Sequence, residues 1–114
     1  MKVMESYLSK YPDLNIIFSH FDLATLAAIQ AAQDVGRADA ITFVSVDGTR
    51  GALAEIAKGG SFKSTAMQDF NMNTELQYLA ALAILNGIEI DKIIYTPNVF
   101  IYQDNANNFD PGWG

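Results

Sequence analysis

The sequence contains no cysteine, and this absence excludes several kinds of chemistry. A 114-residue chain without Cys has no disulfide bond, no thiolate nucleophile and no Cys-ligated metal. The chain also has a single histidine, His20, so it lacks the clustered imidazole and thiolate ligands of a typical zinc site. We therefore predict no metal site.

Basic residues and long apolar segments are also scarce. Seven Lys and Arg stand against thirteen Asp and Glu, which gives a formal net charge of −6. Nucleic acids and anionic membrane surfaces bind clustered Lys and Arg, so this composition disfavours both as partners. No apolar run approaches the ~20 residues of a membrane-spanning helix. The first seven residues lack the apolar centre of a signal peptide, so a secreted parent would carry one further upstream.

What remains is the composition of one folded domain, with half of the residues hydrophobic and 18% charged. Helical spacing predicts helices at 2–10, 23–35, 50–58 and 71–85, and apolar runs predict strands at 14–18, 40–46 and 61–67. The extended segment 93–102 is interrupted by Pro97 and is predicted to form two short strands. Strands that are apolar on both faces and alternate with helices predict a doubly wound α/β fold, with a mainly parallel sheet and helices on both faces. The polar segment 106–114 is expected to be a loosely ordered tail, with Trp113 as a packing contact.

Polar and aromatic side chains follow the ends of the three predicted strands. The candidate ligand-binding residues are His20, Phe21, Asp22, Asp47, Gln68 and Phe70. Because ligands of open parallel sheets bind beyond the carboxyl ends of the strands, we expect these side chains to share one rim. Carboxylates and a carboxamide form hydrogen bonds with hydroxyl groups, and Phe rings can cover the C–H face of a sugar. The set favours a small, uncharged, polyhydroxylated ligand over a phosphate, for which no Gly-rich loop is present.

Several of these residues also have a structural interpretation. Asp22 precedes an apolar helix and is an ordinary N-cap, Asp47 lies in a common Asp-Gly turn, and Gln68 alone is a surface amide. A serine paired with His20 would suggest a hydrolase, but the chain has no G-x-S-x-G nucleophile elbow. The residue types alone leave ligand contact and local structure open as alternatives.

Five stretches carry a resemblance to a known family: LSKYPDLNIIFSHFDLATLAAIQAAQDVGR, ITFVSVDGTRGALAEIAKGG, FKSTAMQDF, ALAILNG and IIYTPNVFIYQDN. Together they resemble the C-terminal part of a type I periplasmic sugar-binding protein of an ABC transporter, from the ribose- and galactose-binding group. The family's sugar-contacting Asp matches Asp47, and a Gln that commonly contacts sugar matches Gln68. The family often has Asn-Asp after the first of these strands, where this chain has Phe21 and Asp22.

The resemblance implies a binding function without an enzyme reaction or a cofactor. Asp47 and Gln68 would bind sugar hydroxyls, Phe21 or Phe70 would pack on the ring, and two lobes would close around the ligand. The partner would be an ABC permease, and the compartment would be periplasmic or extracellular. The same fold forms the effector-binding core of LacI-type repressors, which is the alternative function. An enzyme is a third interpretation, but the chain lacks an activated nucleophile.

Relative to that family, residues 1–105 would be a partial C-terminal lobe. Nothing in the chain resembles the N-terminal lobe or the first strand and helix of the C-terminal lobe. The helix at 71–87 is therefore expected to pack on a missing lobe or a partner chain, because each solvent-exposed leucine forfeits ~1.5–3 kcal/mol. We expect the chain to self-associate and, with half a cleft, to bind sugar at roughly millimolar affinity at best, or not at all.

Overall fold

The structure is a computed structural model that describes residues 2–113. Its helices are α1 (Lys2–Lys10), α2 (Asp22–Asp34), α3 (Arg50–Ala57) and α4 (Phe70–Leu85). Its strands are β1 (Ile16–Phe18), β2 (Thr42–Asp47), β3 (Phe62–Gln68) and β4 (Asn98–Tyr102), and short 3-10 turns lie at Ala38–Ala40 and Ala106–Asn108. All four predicted helices are present. The extended segment forms one strand, not two, because residues 93–97 around Pro97 make no ladder hydrogen bonds and pairing begins at Asn98.

The strands form one sheet in the order β1-β2-β3-β4. The pairs β1–β2 and β2–β3 are parallel, and β4 is antiparallel to β3. The predicted α/β class with a mainly parallel sheet is confirmed. This order matters for function because it places the carboxyl ends of β2 and β3 side by side at one edge of the sheet.

The core lies mainly between the sheet and two helices, since α2 packs against β2 and α3 packs against β3, and α1 adds Met4 and Leu8 where it packs on α2. Its largest completely buried apolar side chains include Phe43, Phe62, Ile41, Ile56 and Ile101. Small alanines in α2 and α3 are also buried, which lets these helices approach the sheet closely. The core therefore holds β2, β3 and the start of α3 in fixed relative positions.

Other apolar surface is uncovered in the described residues. Ile16 and Phe18 of β1 are 59% and 58% exposed, while Ile17 between them packs against the core. No described residue of α4 is buried, and Leu79, Leu82 and Leu85 are all exposed. None of the helices in the described range is long and apolar enough to cross a membrane. That a missing lobe or a partner chain covers α4 remains a prediction.

The C-terminal segment is more closely packed than its polar sequence predicts. Ala106 is buried against α3, and the Arg50 guanidinium forms an exposed ion pair of 2.9 Å with Asp110. The backbone N–H of Arg50 donates to the Trp113 carbonyl at 3.3 Å. Apolar packing, an ion pair and a backbone hydrogen bond therefore all attach this polar segment to the region of α3. Gly114 lies outside the described residues.

Candidate ligand-binding site

Two predicted site residues meet where β2 and β3 end. The parallel register pairs Asp47 with Met67, so Gln68 is one residue beyond the end of the paired region. The Gln68 side-chain Nε2 donates to Asp47 Oδ1 at 3.2 Å. The condition on which the sugar-cleft interpretation depends, that both polar groups lie on one rim, is therefore met.

Asp47 has an unusual backbone conformation. Its φ is +135°, and it is the sole residue other than glycine with a positive φ between residues 2 and 113. Such a conformation costs of order 1–3 kcal/mol and persists only when the surrounding structure imposes it. The next residue, Gly48, has φ +82°, and a Cβ there would lie 2.1 Å from Met67 Cγ. The turn therefore requires glycine at 48 and holds Asp47 in a strained position.

Of the two interpretations of Asp22, the one that makes it the N-cap of α2 is wrong. Phe21 occupies the N-cap position and makes no side-chain cap, whereas Asp22 is the first helical residue and is 0% exposed. Its carboxylate turns toward the sheet and accepts four hydrogen bonds, from the Ser45 hydroxyl, the Thr65 hydroxyl (2.8 Å), the Gly48 N–H (2.9 Å) and the Thr49 N–H (2.6 Å). With both oxygens enclosed, Asp22 has no free surface for a ligand. Sequence reasoning missed this because partners 23 to 43 residues away leave no local signal.

The electrostatics at Asp47 follow from its neighbours. Burial raises the pKa of the Asp47 carboxyl, and the nearby Asp22 carboxylate raises this pKa as well. Hydrogen bonds from the Asp22 backbone N–H (3.3 Å) and from Gln68 lower the pKa in part. Asp47 is partly exposed, so its carboxylate keeps acceptor capacity for hydroxyl groups of a ligand.

An aromatic pair follows the end of β3. Asp69 caps α4 by accepting the Met72 N–H at 2.9 Å, which places Phe70 at the first helical position. The Phe70 ring packs against Trp113, with ring centroids 4.2 Å apart and planes tilted by 60°. Trp113 is thus a packing contact, as predicted, but sequence reasoning did not connect it with Phe70. Its Nε1 is buried and has no hydrogen-bond partner among the described residues.

The other two predicted residues lie after β1. The His20 ring packs edge-on against Phe18 at 5.1 Å, and both side chains are exposed. Phe21 is 64% exposed and directly precedes Asp22, whose N–H contacts Asp47. Phe21 is thus exposed and adjacent in the chain to a residue that contacts Asp47, while His20 packs on the sheet-edge strand. Within residues 2–113, no cluster of three or more His, Asp or Glu could hold a metal ion.

Comparisons with known proteins agree with this geometry. Residues 1–89 match the model of the periplasmic binding protein domain. The ribose import binding protein RbsB of Bacillus subtilis (strain 168) is 33% identical over 97 residues, which is 85% of this chain and 31% of that protein. The chain therefore spans about a third of that relative's length.

Solved structures show the same fold. An ABC transporter solute-binding protein from Mycobacterium smegmatis with bound glycerol has a TM-score of 0.87 at 24% identity, over 94% of this chain and 37% of that one. The periplasmic component of the arabinose ABC transporter from Shewanella sp. ANA-3, bound to α- and β-L-arabinofuranose, has a TM-score of 0.78 at 28% identity. That match covers 94% of this chain and 36% of the other.

Proposed function

Because the chain belongs to the periplasmic binding protein domain family, we propose that it is part of a sugar-binding component of an ABC transporter. The observation that carries this proposal is the hydrogen bond between Asp47 and Gln68 where two parallel strands end. These two side chains offer adjacent acceptors and a donor, which suit neighbouring hydroxyl groups on one small molecule. The relatives compared above are transport proteins, which favours transport over the LacI-type alternative.

The proposed contacts differ in kind. Asp47 accepts hydrogen bonds from ligand hydroxyls, Gln68 both donates and accepts, and Phe70 offers an apolar ring that also packs against Trp113. Phe21 contributes at the border. Asp22 is left out of the contact set, because its carboxylate is enclosed.

The relatives are solute-binding proteins, and we propose that this chain likewise binds without covalent chemistry. Its partner would be a membrane permease, reached through a longer parent, in the periplasm or outside the cell. Residues 1–105 would form part of the parent's C-terminal lobe. Since this supplies one side of a cleft, the isolated chain should bind sugars at roughly millimolar affinity at best.

We further propose that the exposed face of α4 is covered, either by the remainder of the parent or by a second copy of this chain. Three exposed leucines and the adjacent exposed Tyr78 make a patch that isolated domains rarely leave in water. Sedimentation velocity over a range of concentrations tests self-association of the chain alone. A single monomeric species at the highest concentration would rule out the second copy as the cover.

Sugar binding is tested by titrating the ¹⁵N-labelled chain with ribose and arabinose, to concentrations on the order of 100 mM. We expect the amide resonances of residues 47–49 and 68–70 to move together, with the fluorescence of Trp113, the one tryptophan of the chain, changing in parallel. Asp47→Ala should abolish both changes. Asp39→Ala, which removes an exposed carboxylate outside the rim, should leave them intact.

The proposal fails if neither sugar moves the rim resonances of the wild-type chain, or if both variants respond alike. Ribose 5-phosphate serves as the charged comparison. It should bind more weakly than ribose, because the Asp47 carboxylate repels phosphate.

A further inference from the structure

We propose that Asp22 is a positioning residue for the rim site: its buried carboxylate holds the 47–49 turn so that Asp47 faces the ligand. This inference rests on the function proposed above. Asp22 does not touch the ligand, so its effect on binding would be exerted through Asp47.

The hydrogen bonds of Asp22 divide between two tasks. Its Oδ2 accepts the consecutive backbone N–H groups of Gly48 and Thr49, at 2.9 and 2.6 Å. Its Oδ1 accepts the hydroxyls of Ser45 on β2 and Thr65 on β3. One oxygen therefore holds the turn, and the other anchors the carboxylate to the two strands that carry the site.

Two of the donors to Asp22 are hydroxyls at buried strand positions, where apolar side chains would need no hydrogen-bond partner. Ser45 is 5% exposed and Thr65 is 0% exposed, so both hydroxyls lie inside the core and need a partner. Asp22 is their partner, and an ionised carboxylate can accept all four bonds because it is acceptor-only. A residue that merely started α2 would need none of these contacts, since an exposed Ser or Thr can cap a helix.

The turn is where Asp47 is strained. Asp22 fixes the two residues that follow Asp47, and its own backbone N–H donates to Asp47 Oδ2 at 3.3 Å. If these anchors were lost, the positive φ of Asp47 could relax, and its carboxylate would move relative to Gln68. These hydrogen bonds explain how Asp47 is held in a backbone conformation that is strained for a residue other than glycine.

The test compares Asp22→Ala with Asp22→Asn. Alanine removes the four hydrogen bonds of the carboxylate and keeps only the backbone N–H that donates to Asp47. We therefore expect ligand affinity to fall by about tenfold or more, with new resonance positions for residues 47–49. Asparagine keeps one carbonyl for the turn amides, and the hydroxyls of Ser45 and Thr65 can rotate to accept its NH₂. It should therefore keep affinity within about threefold and leave the turn resonances near their wild-type positions.

A matched control separates positioning from general stability. Thr25 is completely buried, and its hydroxyl donates to the Phe21 carbonyl at the start of α2 and not to a group of the turn. Thr25→Val should lower the thermal midpoint but leave both affinity and the turn resonances unchanged. If Asp22→Ala does not fold, Asp22→Ser takes its place, because its shorter side chain reaches less far toward the turn.

The two proposals fail in different ways. If the wild-type chain binds no sugar, the proposed function is wrong, while the turn resonances of the ligand-free variants still test positioning. Unchanged resonances at 47–49 in a folded Asp22→Ala or Asp22→Ser chain would overturn the positioning role. So would an equal loss of affinity in Thr25→Val.

Discussion

The strain at Asp47 can be measured by comparing Asp47→Gly with Asp47→Ala. Both substitutions remove the same two hydrogen bonds, to the Asp22 N–H at 3.3 Å and to Gln68 at 3.2 Å, so that loss cancels in the comparison. Glycine adopts a φ of +135° without the 1–3 kcal/mol cost that alanine retains. Glycine also loses about 0.4–1 kcal/mol through the greater freedom of its unfolded chain. We therefore expect the glycine variant to be more stable by about 1 kcal/mol.

Urea unfolding, followed by the fluorescence of Trp113 and by far-UV circular dichroism, provides the assay. A difference of about 1 kcal/mol moves the midpoint by roughly 0.5 M at a typical urea dependence. Neither variant should bind sugar, so the glycine variant would regain stability without regaining binding.

The control pair is Gln30→Gly and Gln30→Ala, at an exposed position within α2. There the order should reverse, with glycine less stable than alanine by about 1 kcal/mol. If Asp47→Gly is no more stable than Asp47→Ala while the control pair behaves as expected, Asp47 is not strained and the reasoning is refuted.

Three further outcomes are expected. Gly48→Ala should destabilise the fold more than Gly36→Ala, by about 1–3 kcal/mol in urea unfolding. Both glycines have a positive φ, but a Cβ at Gly48 would collide with Met67, whereas nothing lies within 4 Å of a Cβ at Gly36. Equal losses would show that the close approach is unimportant. Thr49→Ala should lower the free energy of unfolding by about 1 kcal/mol, since the Thr49 hydroxyl caps α3 by accepting the Ala52 N–H at 3.2 Å. An unchanged melting temperature in calorimetry would show that the cap is dispensable. Because the folded-state pKa of Asp47 is raised, its protonation favours folding: this contribution is full below the unfolded value, taken as 3.8, and is lost as pH rises through the raised pKa. The stability of wild type relative to Asp47→Asn should therefore increase as pH falls through that range, and a flat difference would contradict the assignment.

Much of the fold was predictable because its signals are local. The helix α3 begins after a Thr that caps it, and α4 begins after Asp69, which caps it. Short apolar runs predicted β2 and β3 to within two residues at each end. The single misjudged strand, at 93–102, depended on how far β4 pairs with β3, which no local pattern records.

The site was predictable in part, for a similar reason. Asp47 and Gln68 both directly end strands, so the parallel order of β2 and β3 was enough to predict that they meet. The interpretation of Asp22 as a helix cap was wrong, because a carboxylate at the start of a helix has the same local pattern whether it caps the helix or binds groups of the neighbouring strands. The contact between Trp113 and Phe70 was not predicted, because the two residues are far apart in the sequence.

The sequence by itself determined the α/β class, the helix boundaries to within one residue and the strand ends that carry polar groups, since apolar periodicity and caps act over a few residues. Only the tertiary structure decided what the buried carboxylate of Asp22 does and which backbone position is strained. Both depend on hydrogen-bond donors that folding brings together from residues far apart in the chain, and the cost of leaving such groups unpaired in a dry core appears only once that core exists.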